Sequence, residues 1–250
     1  MIVQQLPKIN RPRILVVLHQ ENSTPGRIGR ALVARGFELD IRKPRFGDPL
    51  PTTMRDHEGA VIFGGPMSAN SEEDFVKREI DWINVPLKED KPFLGVCLGA
   101  QMMVRQLGGN VMPRPDGKVE IGYYPLTPTD EGSELMSWPE KVYQWHSEGF
   151  DLPSSCDRLA ATETYPNQAI RYGKSAFGIQ FHVELTHAMM VRWTTAGREG
   201  LCLPGARPRK EHFTDRFAYD AEVRLWLENF LDLWVGQGHQ AHMDLSAAAE

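Results

Sequence analysis

Cysteine is scarce in this chain, and its spacing excludes two kinds of cross-linked scaffold. Cys97, Cys156 and Cys202 are the three cysteines among 250 residues, and no two of them form a Cys-x-x-Cys pair. A disulfide framework and a cysteine-based zinc site both need cysteines in closely spaced patterns. The sequence therefore predicts a cytoplasmic protein from a reducing compartment, with no metal site.

Long apolar runs and basic runs are missing as well. Residues 1–12 lack the continuous apolar centre of a signal peptide, and no segment approaches the length that crosses a bilayer. The formal net charge is −5, and the basic stretch at residues 207–210 is short and interrupted by a proline. We therefore expect no membrane and no nucleic acid as a partner.

Phosphate-binding loops are also absent from the sequence. It contains neither a G-x-x-x-x-G-K-[ST] loop nor a Ser-Gly-Gly-x-Asp-Ser pyrophosphatase loop. Since such loops hold nucleotide phosphates through their backbone amides, we expect no ATP-dependent activation of a substrate in this chain.

What is present fits one α/β core. With 41% apolar and 24% charged residues, the composition is that of an ordinary globular protein, and 250 residues are too few for two large catalytic domains. Strands and helices alternate in the first part of the chain. Strands are predicted at residues 13–18, 37–41, 59–63 and 92–96, and helices at 25–35 (with Thr24 as N-cap), 71–83 and 98–107. This order indicates right-handed βαβ units in a mostly parallel sheet with helices on both faces.

The pattern changes after residue 109. Short strands are predicted at residues 119–126, 141–145, 158–162, 169–171 and 176–181, which indicates a small antiparallel region. Two C-terminal helices are predicted at residues 187–195 and 217–234, with a proline-containing basic loop at 203–213 between them. The second helix has a broad apolar stripe, which suggests core packing and leaves room for a homo-oligomer.

The most informative motif is a cysteine between two glycines at a strand-to-helix junction. Gly95, Cys97 and Gly99 follow an apolar strand and precede a helix that ends at a glycine pair. This is the thiol form of a nucleophile elbow, in which a sharp turn lifts the nucleophile out of the sheet. The helix N-terminus favours the thiolate and offers N–H groups to a developing anion. Cys97 is therefore the predicted nucleophile, whereas Cys156 and Cys202 have no such context.

A base for this nucleophile is predicted at the end of a late strand. Because side chains alternate along a strand, His182 and Glu184 would project to one side and Val183 to the other. The carboxylate can hold one ring nitrogen and leave the second free to accept the thiol proton. Cys97, His182 and Glu184 form the predicted catalytic triad.

These motifs together resemble the class I glutamine amidotransferases, and are most similar to stand-alone relatives of the GMP synthase glutaminase domain. The family has a Gly-Gly-Pro loop, a Gly-x-Cys-x-Gly-x-Gln elbow and a late His-Pro-Glu, which correspond here to residues 64–66, 95–101 and 182–184. Residues 120–126 also resemble a segment of this subgroup. Val183 replaces the usual proline. The resemblance covers roughly residues 13–187 and implies a flavodoxin-like α/β fold of the class I amidotransferase type.

The resemblance also implies roles for several residues outside the triad. It implies an oxyanion hole made by the N–H groups of Gly65 and Leu98, and substrate contacts at Gly64 and Gln101. Residues 144–150 resemble the family's His-Gly-Asp segment, which implies substrate contacts at Trp145, His146 and Ser147. His19, His57, His187 and His212 have no motif around them and are expected to be ordinary surface or helix-end residues.

The predicted domain organisation follows from these assignments. Residues 1–12 are an N-terminal tail, residues 13–187 an amidotransferase-like catalytic domain, residues 188–235 a helical extension packed on the same domain, and residues 236–250 a flexible tail.

The predicted function is cofactor-free release of ammonia from glutamine through a γ-glutamyl thioester. The ammonia would serve a separate synthetase subunit. One alternative is a stand-alone hydrolase of γ-glutamyl peptides or amides, and an alternative of another class is a non-catalytic binding or regulatory module with the same fold.

Overall fold

The central sheet is built from strands of both halves of the chain. The structure, a computed structural model, describes the backbone of residues 11–247 and the side chains of residues 11–236. The strands are β1 (Arg13–Val17), β2 (Glu38–Arg42), β3 (Gly59–Ile62), β4 (Phe93–Val96), β5 (Val111–Pro113), β6 (Glu120–Pro125), β7 (Thr127–Pro128), β8 (Lys141–His146), β9 (Glu148–Phe150), β10 (Cys156–Ala161), β11 (Ala169–Tyr172) and β12 (Ala176–Ile179). The helices are α1 (Gly26–Ala34), α2 (Asp74–Trp82), α3 (Asn84–Lys88), α4 (Leu98–Gln106), α5 (Asp130–Leu135), α6 (His187–Ala196) and α7 (Arg209–Ala247).

Eight strands form one sheet in the order β2-β1-β3-β4-β12-β11-β10-β7. The first five run parallel to one another, and the remaining three pair antiparallel. Two smaller antiparallel pairs, β5 with β9 and β6 with β8, lie outside this sheet. The mostly parallel α/β sheet predicted from the alternating pattern is confirmed.

Each face of the sheet has its own apolar layer, because side chains alternate along β1. Ile14 and Val16 belong to one buried cluster, which contains α1 residues and the α7 residues Trp226, Phe230 and Trp234. Leu15 and Val17 belong to the other, which contains residues of α2 and α4. The period-2 pattern of a buried strand thus explains why helices cover both faces.

Three local predictions are corrected by the structure. α1 begins at Gly26 with Pro25 as its N-cap residue and no side-chain cap, so Thr24 does not cap it. α7 begins at Arg209, well before the predicted residue 217, and takes in the second half of the expected loop. β12 ends at Ile179, so residues 182–184 lie in a loop and not on a strand.

The two predicted tails are only partly covered. Residues 1–10 and 248–250 lie outside the described part of the chain. α7 continues to Ala247, into the range 236–250 expected to be a tail.

Candidate active site

Cys97 is the single residue between β4 and α4. Its φ of 51° and ψ of −106° put it in a sparsely populated backbone region, which costs on the order of 1–3 kcal/mol for a side-chain-bearing residue. The Cys97 N–H donates to the Ile179 carbonyl of the neighbouring β12 at 2.7 Å, which anchors the turn. This strained strand-to-helix junction is the geometry of a nucleophile elbow.

The glycines around Cys97 are needed because the backbones there nearly touch. A Cβ on Gly99 would lie 2.0 Å from the Ile62 carbonyl oxygen, and one on Gly95 would lie 2.5 Å from the Gly99 carbonyl oxygen. No side chain fits at either position without moving the backbone. The motif therefore packs the first turn of α4 directly against the sheet.

The His182 ring is held by a buried carboxylate. His182 Nδ1 and Glu184 Oε1 are 2.7 Å apart, and both side chains are buried. Strand alternation is not the reason, since both residues follow β12. Two backbone contacts position the loop: the His182 N–H donates to the Tyr143 carbonyl and the Arg27 N–H donates to the Glu184 carbonyl. Val183 between them is buried in the apolar cluster on the α1 and α7 face.

The second ring nitrogen of His182 is available for chemistry. Its Nε2 is buried, and Cys97 is the one ionisable group in the described part of the chain that interacts with the ring on this side. Burial lowers the pKa of His182, but the negative charges of Glu184 and Cys97 outweigh this and hold it above its usual value. The arrangement therefore favours a protonated His182 ring facing Cys97.

The Gly64–Gly65 loop completes the group. It follows β3 after one residue, Phe63, and a Cβ on Gly64 would lie 3.1 Å from His182 Cε1 and 3.9 Å from Cys97 Sγ. Within residues 11–247 the structure shows no hydrogen-bond acceptor for the N–H groups of Gly65 and Leu98. The glycine loop and the first residue of α4 thus each carry an unpaired amide donor, and that of Leu98 stands at the positive end of the α4 dipole.

A cavity of about 270 Å³ opens onto these groups. Cys97, His182 and Glu184 line one side, together with Gly64 and Gly65. Part of its lining comes from α6, which sequence analysis placed in the C-terminal extension. Met189, Arg192 and Trp193 of α6 line the cavity, and the Trp193 ring contacts the His182 ring edge-on at 4.8 Å between centroids.

Of the predicted substrate-contacting residues, some line the cavity and others lie behind or beside it. Gly64 and Trp145 belong to the lining. Gln101 is buried and donates to the Glu148 carbonyl and to the Gln180 side chain. The His146 ring contacts the Glu148 carbonyl and the Glu120 carboxylate, while the Ser147 side chain is exposed. The structure thus shows Gln101 and His146 supporting the segment next to the cavity.

A buried histidine that the sequence did not reveal lies beside the glycine loop. His19 follows β1 and is fully buried, with its ring between the Gly64 carbonyl and the Glu79 carboxylate. His57 and His212 are buried as well, so a surface position is wrong for these three. His212 in the first turn of α7 and the exposed His187 at the start of α6 do lie at helix ends, as expected. No local signal could have identified His19, because Glu79 lies 60 residues further along the chain.

The described residues hold no group of three His, Cys, Asp or Glu side chains arranged to bind a metal ion. Nor does any helix among them have both the length and the apolar character needed to span a bilayer.

Comparison with known proteins points to one family. Residues 16–191 match the model of the glutamine amidotransferase class-I family. The glutamine amidotransferase-like protein YfeJ of Salmonella typhimurium is 29% identical over 184 residues, spanning 70% of this chain and 76% of YfeJ. A solved glutamine amidotransferase of Thermotoga maritima shares 30% identity at a TM-score of 0.78, covering 90% of this chain and 98% of that one.

A glutamine-hydrolyzing GMP synthase of Prochlorococcus marinus is 34% identical over 135 residues, which span 52% of this chain and 24% of the synthase. The similarity therefore covers about a quarter of that protein. The family model, in contrast, covers most of the present chain, including the elbow, the glycine loop and His182 with Glu184. The chain belongs to the class-I glutamine amidotransferase family.

Proposed function

We propose that this protein is a thiol amidohydrolase that cleaves the side-chain amide of glutamine or of a related γ-glutamyl compound. The proposal rests on one observation above all. A strained cysteine, a carboxylate-held histidine and the Gly64–Gly65 loop line one cavity, and the unpaired N–H of Leu98 belongs to the residue directly after the cysteine. This constellation is what acyl transfer through a covalent thioester needs.

In the first half-reaction the Cys97 sulfur attacks the γ-carbonyl carbon. The carbonyl π electrons move to oxygen, and the N–H groups of Gly65 and Leu98 stabilise the resulting oxyanion. Removing one such donor typically costs about 3–4 kcal/mol of transition-state stabilisation. His182 then gives its Nε2 proton to the departing nitrogen, the C–N bond breaks, and ammonia or an amine leaves behind a γ-glutamyl thioester.

In the second half-reaction His182 accepts a proton from water, and the hydroxide attacks the thioester carbonyl. The C–S bond breaks, glutamate leaves, and the thiolate–imidazolium pair is restored. Glu184 keeps its hydrogen bond to Nδ1 throughout, so that Nε2 always points at the reacting atoms. No organic cofactor or metal takes part in the proposed steps.

The γ-glutamyl group itself would be held by other residues of the cavity and of the segment beside it. Arg192 lines the cavity and can pair with the substrate α-carboxylate, while Gly64 and Trp145 line the same cavity and can contact the rest of the γ-glutamyl group. Gln101 and His146 would act indirectly, because both hold the Glu148 carbonyl and so support the segment next to the cavity. Ser147 would act as part of that segment.

A second candidate, a stand-alone hydrolase of γ-glutamyl peptides or amides, is favoured by the position of α6. An ammonia-supplying subunit is expected to have a site that its synthetase completes. Here α6 already lines the cavity through Met189, Arg192 and Trp193, and Trp145 packs edge-on against Trp193 with 5.9 Å between centroids. This apolar wall would contact the leaving amine of a larger substrate.

Labelling with a glutamine analogue that carries an electrophilic diazoketone tests the shared chemistry. We expect one adduct, on Cys97, that excess glutamine prevents and that Cys97→Ala abolishes together with all hydrolysis. Burial raises the pKa of the Cys156 thiol to about 11, so Cys156→Ala should label like wild type, as should Cys202→Ala. An adduct on either of these cysteines would refute the assignment.

Kinetics on two substrates decide between the candidates. A self-sufficient hydrolase turns over γ-glutamyl dipeptides rapidly as the isolated chain, and Trp193→Ala raises KM for them more than for glutamine. An ammonia-supplying subunit hydrolyses free glutamine slowly until a synthetase subunit is added. No turnover of either substrate with Cys97 reduced would favour the binding module.

A further inference from the structure

His19 and Glu79 form a fully buried histidine–carboxylate pair beside the glycine loop of the cavity. Both side chains have 0% exposure, and His19 Nε2 lies 2.7 Å from Glu79 Oε2. His19 follows the carboxyl end of β1, and Glu79 lies within α2. None of the steps proposed above uses this pair.

The other ring nitrogen reaches the loop of the proposed oxyanion hole. His19 Nδ1 lies 3.1 Å from the Gly64 carbonyl oxygen. That carbonyl and the N–H of Gly65 belong to the same planar peptide group. A hydrogen bond to the oxygen therefore acts directly on the N–H at the opposite edge of the group.

The partners of the ring determine which nitrogen carries a proton. The Gly64 carbonyl can only accept, so Nδ1 must carry a proton to make this hydrogen bond. Nε2 faces a carboxylate oxygen, and one more proton lies between the two groups. One proton therefore lies on Nδ1 and a second lies between Nε2 and Glu79. Loss of the Nδ1 proton would break the hydrogen bond to the loop.

We propose that His19, oriented by Glu79, is a positioning residue that fixes and polarises the Gly64–Gly65 peptide so that its N–H points at the oxyanion. A peptide between two glycines can rotate easily, because neither residue has a side chain to restrict φ and ψ. In the trans peptide the Gly64 carbonyl and the Gly65 N–H point in opposite directions, so a hydrogen bond from His19 to the carbonyl also fixes the direction of the N–H. Hydrogen bonds in series strengthen one another, which makes the Gly65 N–H a better donor.

Packing at this point supports the same role. A Cβ on Gly65 would lie 3.0 Å from the His19 Cβ, so the loop rests directly on the histidine. The proposal depends on the proposed function, because Gly65 matters only if an oxyanion forms in the cavity.

Two substitutions of similar size separate hydrogen bonding from space filling. His19→Asn keeps an N–H donor near the position of Nδ1, and His19→Leu fills similar space without one. We expect His19→Leu to lower kcat about 100-fold with KM within about threefold, because an oxyanion donor is worth 10²–10³ in kcat. His19→Asn should restore kcat to within about tenfold of wild type.

Alkylation of Cys97 by iodoacetamide separates this effect from damage to the triad. The alkylation involves no oxyanion, so both variants should react at the wild-type rate. Equal loss of hydrolysis and of alkylation in His19→Leu would overturn the proposal, as would equal kcat values for the Leu and Asn variants. Should His19→Leu not fold, His19→Asn must still keep kcat, and a loss of more than 100-fold there overturns the proposal.

A nitrogen-15 NMR measurement tests the pair independently of turnover. In wild-type protein at neutral pH the His19 Nδ1 should be protonated, with its signal identified by its loss in His19→Asn. An unprotonated Nδ1 would overturn the proposal even if the enzyme is active. Failure of the proposed function would instead appear as a wild-type chain that hydrolyses no γ-glutamyl amide.

Discussion

The pairs of His182 with Glu184 and of His19 with Glu79 differ in what the second ring nitrogen of the histidine touches. The ring nitrogen and the carboxylate oxygen are 2.7 Å apart in both pairs. In the pair of His182 with Glu184, the second nitrogen faces the proposed nucleophile Cys97 and the cavity, with no other partner in the described part of the chain. In the pair of His19 with Glu79, the second nitrogen contacts the Gly64 carbonyl. A free nitrogen can exchange protons with a substrate, whereas a paired one can only hold a neighbour in place.

Replacing the carboxylate of each pair in turn should give the largest contrast. We expect Glu184→Gln to lower kcat by about 10⁴, since an amide can hold the His182 ring in the wrong tautomer. Glu79→Gln should stay within about tenfold of wild type, because a Gln amide can still donate to His19 Nε2 and leave Nδ1 protonated. Steady-state hydrolysis of a γ-glutamyl amide measures both. Similar losses in the two variants would show that the pairs do not have separate roles.

Titration of His182 provides a second, smaller contrast. Burial lowers the pKa of His182, but Glu184 and Cys97 raise it above the usual value, so Glu184→Gln and Cys97→Ala should each lower it. Because the folded-state pKa exceeds the unfolded value, the protonated ring stabilises the fold fully below about pH 6.5. That contribution should disappear as the pH rises through the raised pKa.

Two measurements check this titration. Proton NMR of the His182 Cε1–H gives the pKa in each variant. Chemical unfolding of wild type and His182→Gln at several pH values gives the difference in free energy of unfolding, which should shrink as the pH rises. A His182 pKa unchanged in both Glu184→Gln and Cys97→Ala would contradict the interpretation.

Val183→Pro should have the smallest effect. Val183 stands between the two members of the catalytic pair, but its side chain is buried in the apolar cluster on the α1 and α7 face. Proline restricts the backbone of its own residue and of the preceding one without adding a group to the cavity. We expect kcat within about threefold of wild type. A loss as large as that of Glu184→Gln would show that this position controls the placement of Glu184.

Much of this site was predictable from short stretches of sequence. The elbow was recognisable because an apolar strand, a cysteine between glycines and a helix are consecutive in the sequence. The sheet was recognisable from alternating strands and helices. His182 and Glu184 were paired correctly for a partly wrong reason, since they meet in a loop beyond β12 and not on a strand.

The features that the sequence did not reveal all depend on contacts between distant segments. Glu79 lies 60 residues from His19, and both are buried only because α2 packs against the sheet beside β1. α6 lines the cavity although it follows the triad in sequence, because its position is set by packing against β6 and β8 residues such as Tyr123 and Tyr143. Local patterns encode strands, helices and turns, since neighbours in sequence determine them. Which buried polar groups meet, and which helix covers the cavity, depends on how those elements pack in three dimensions.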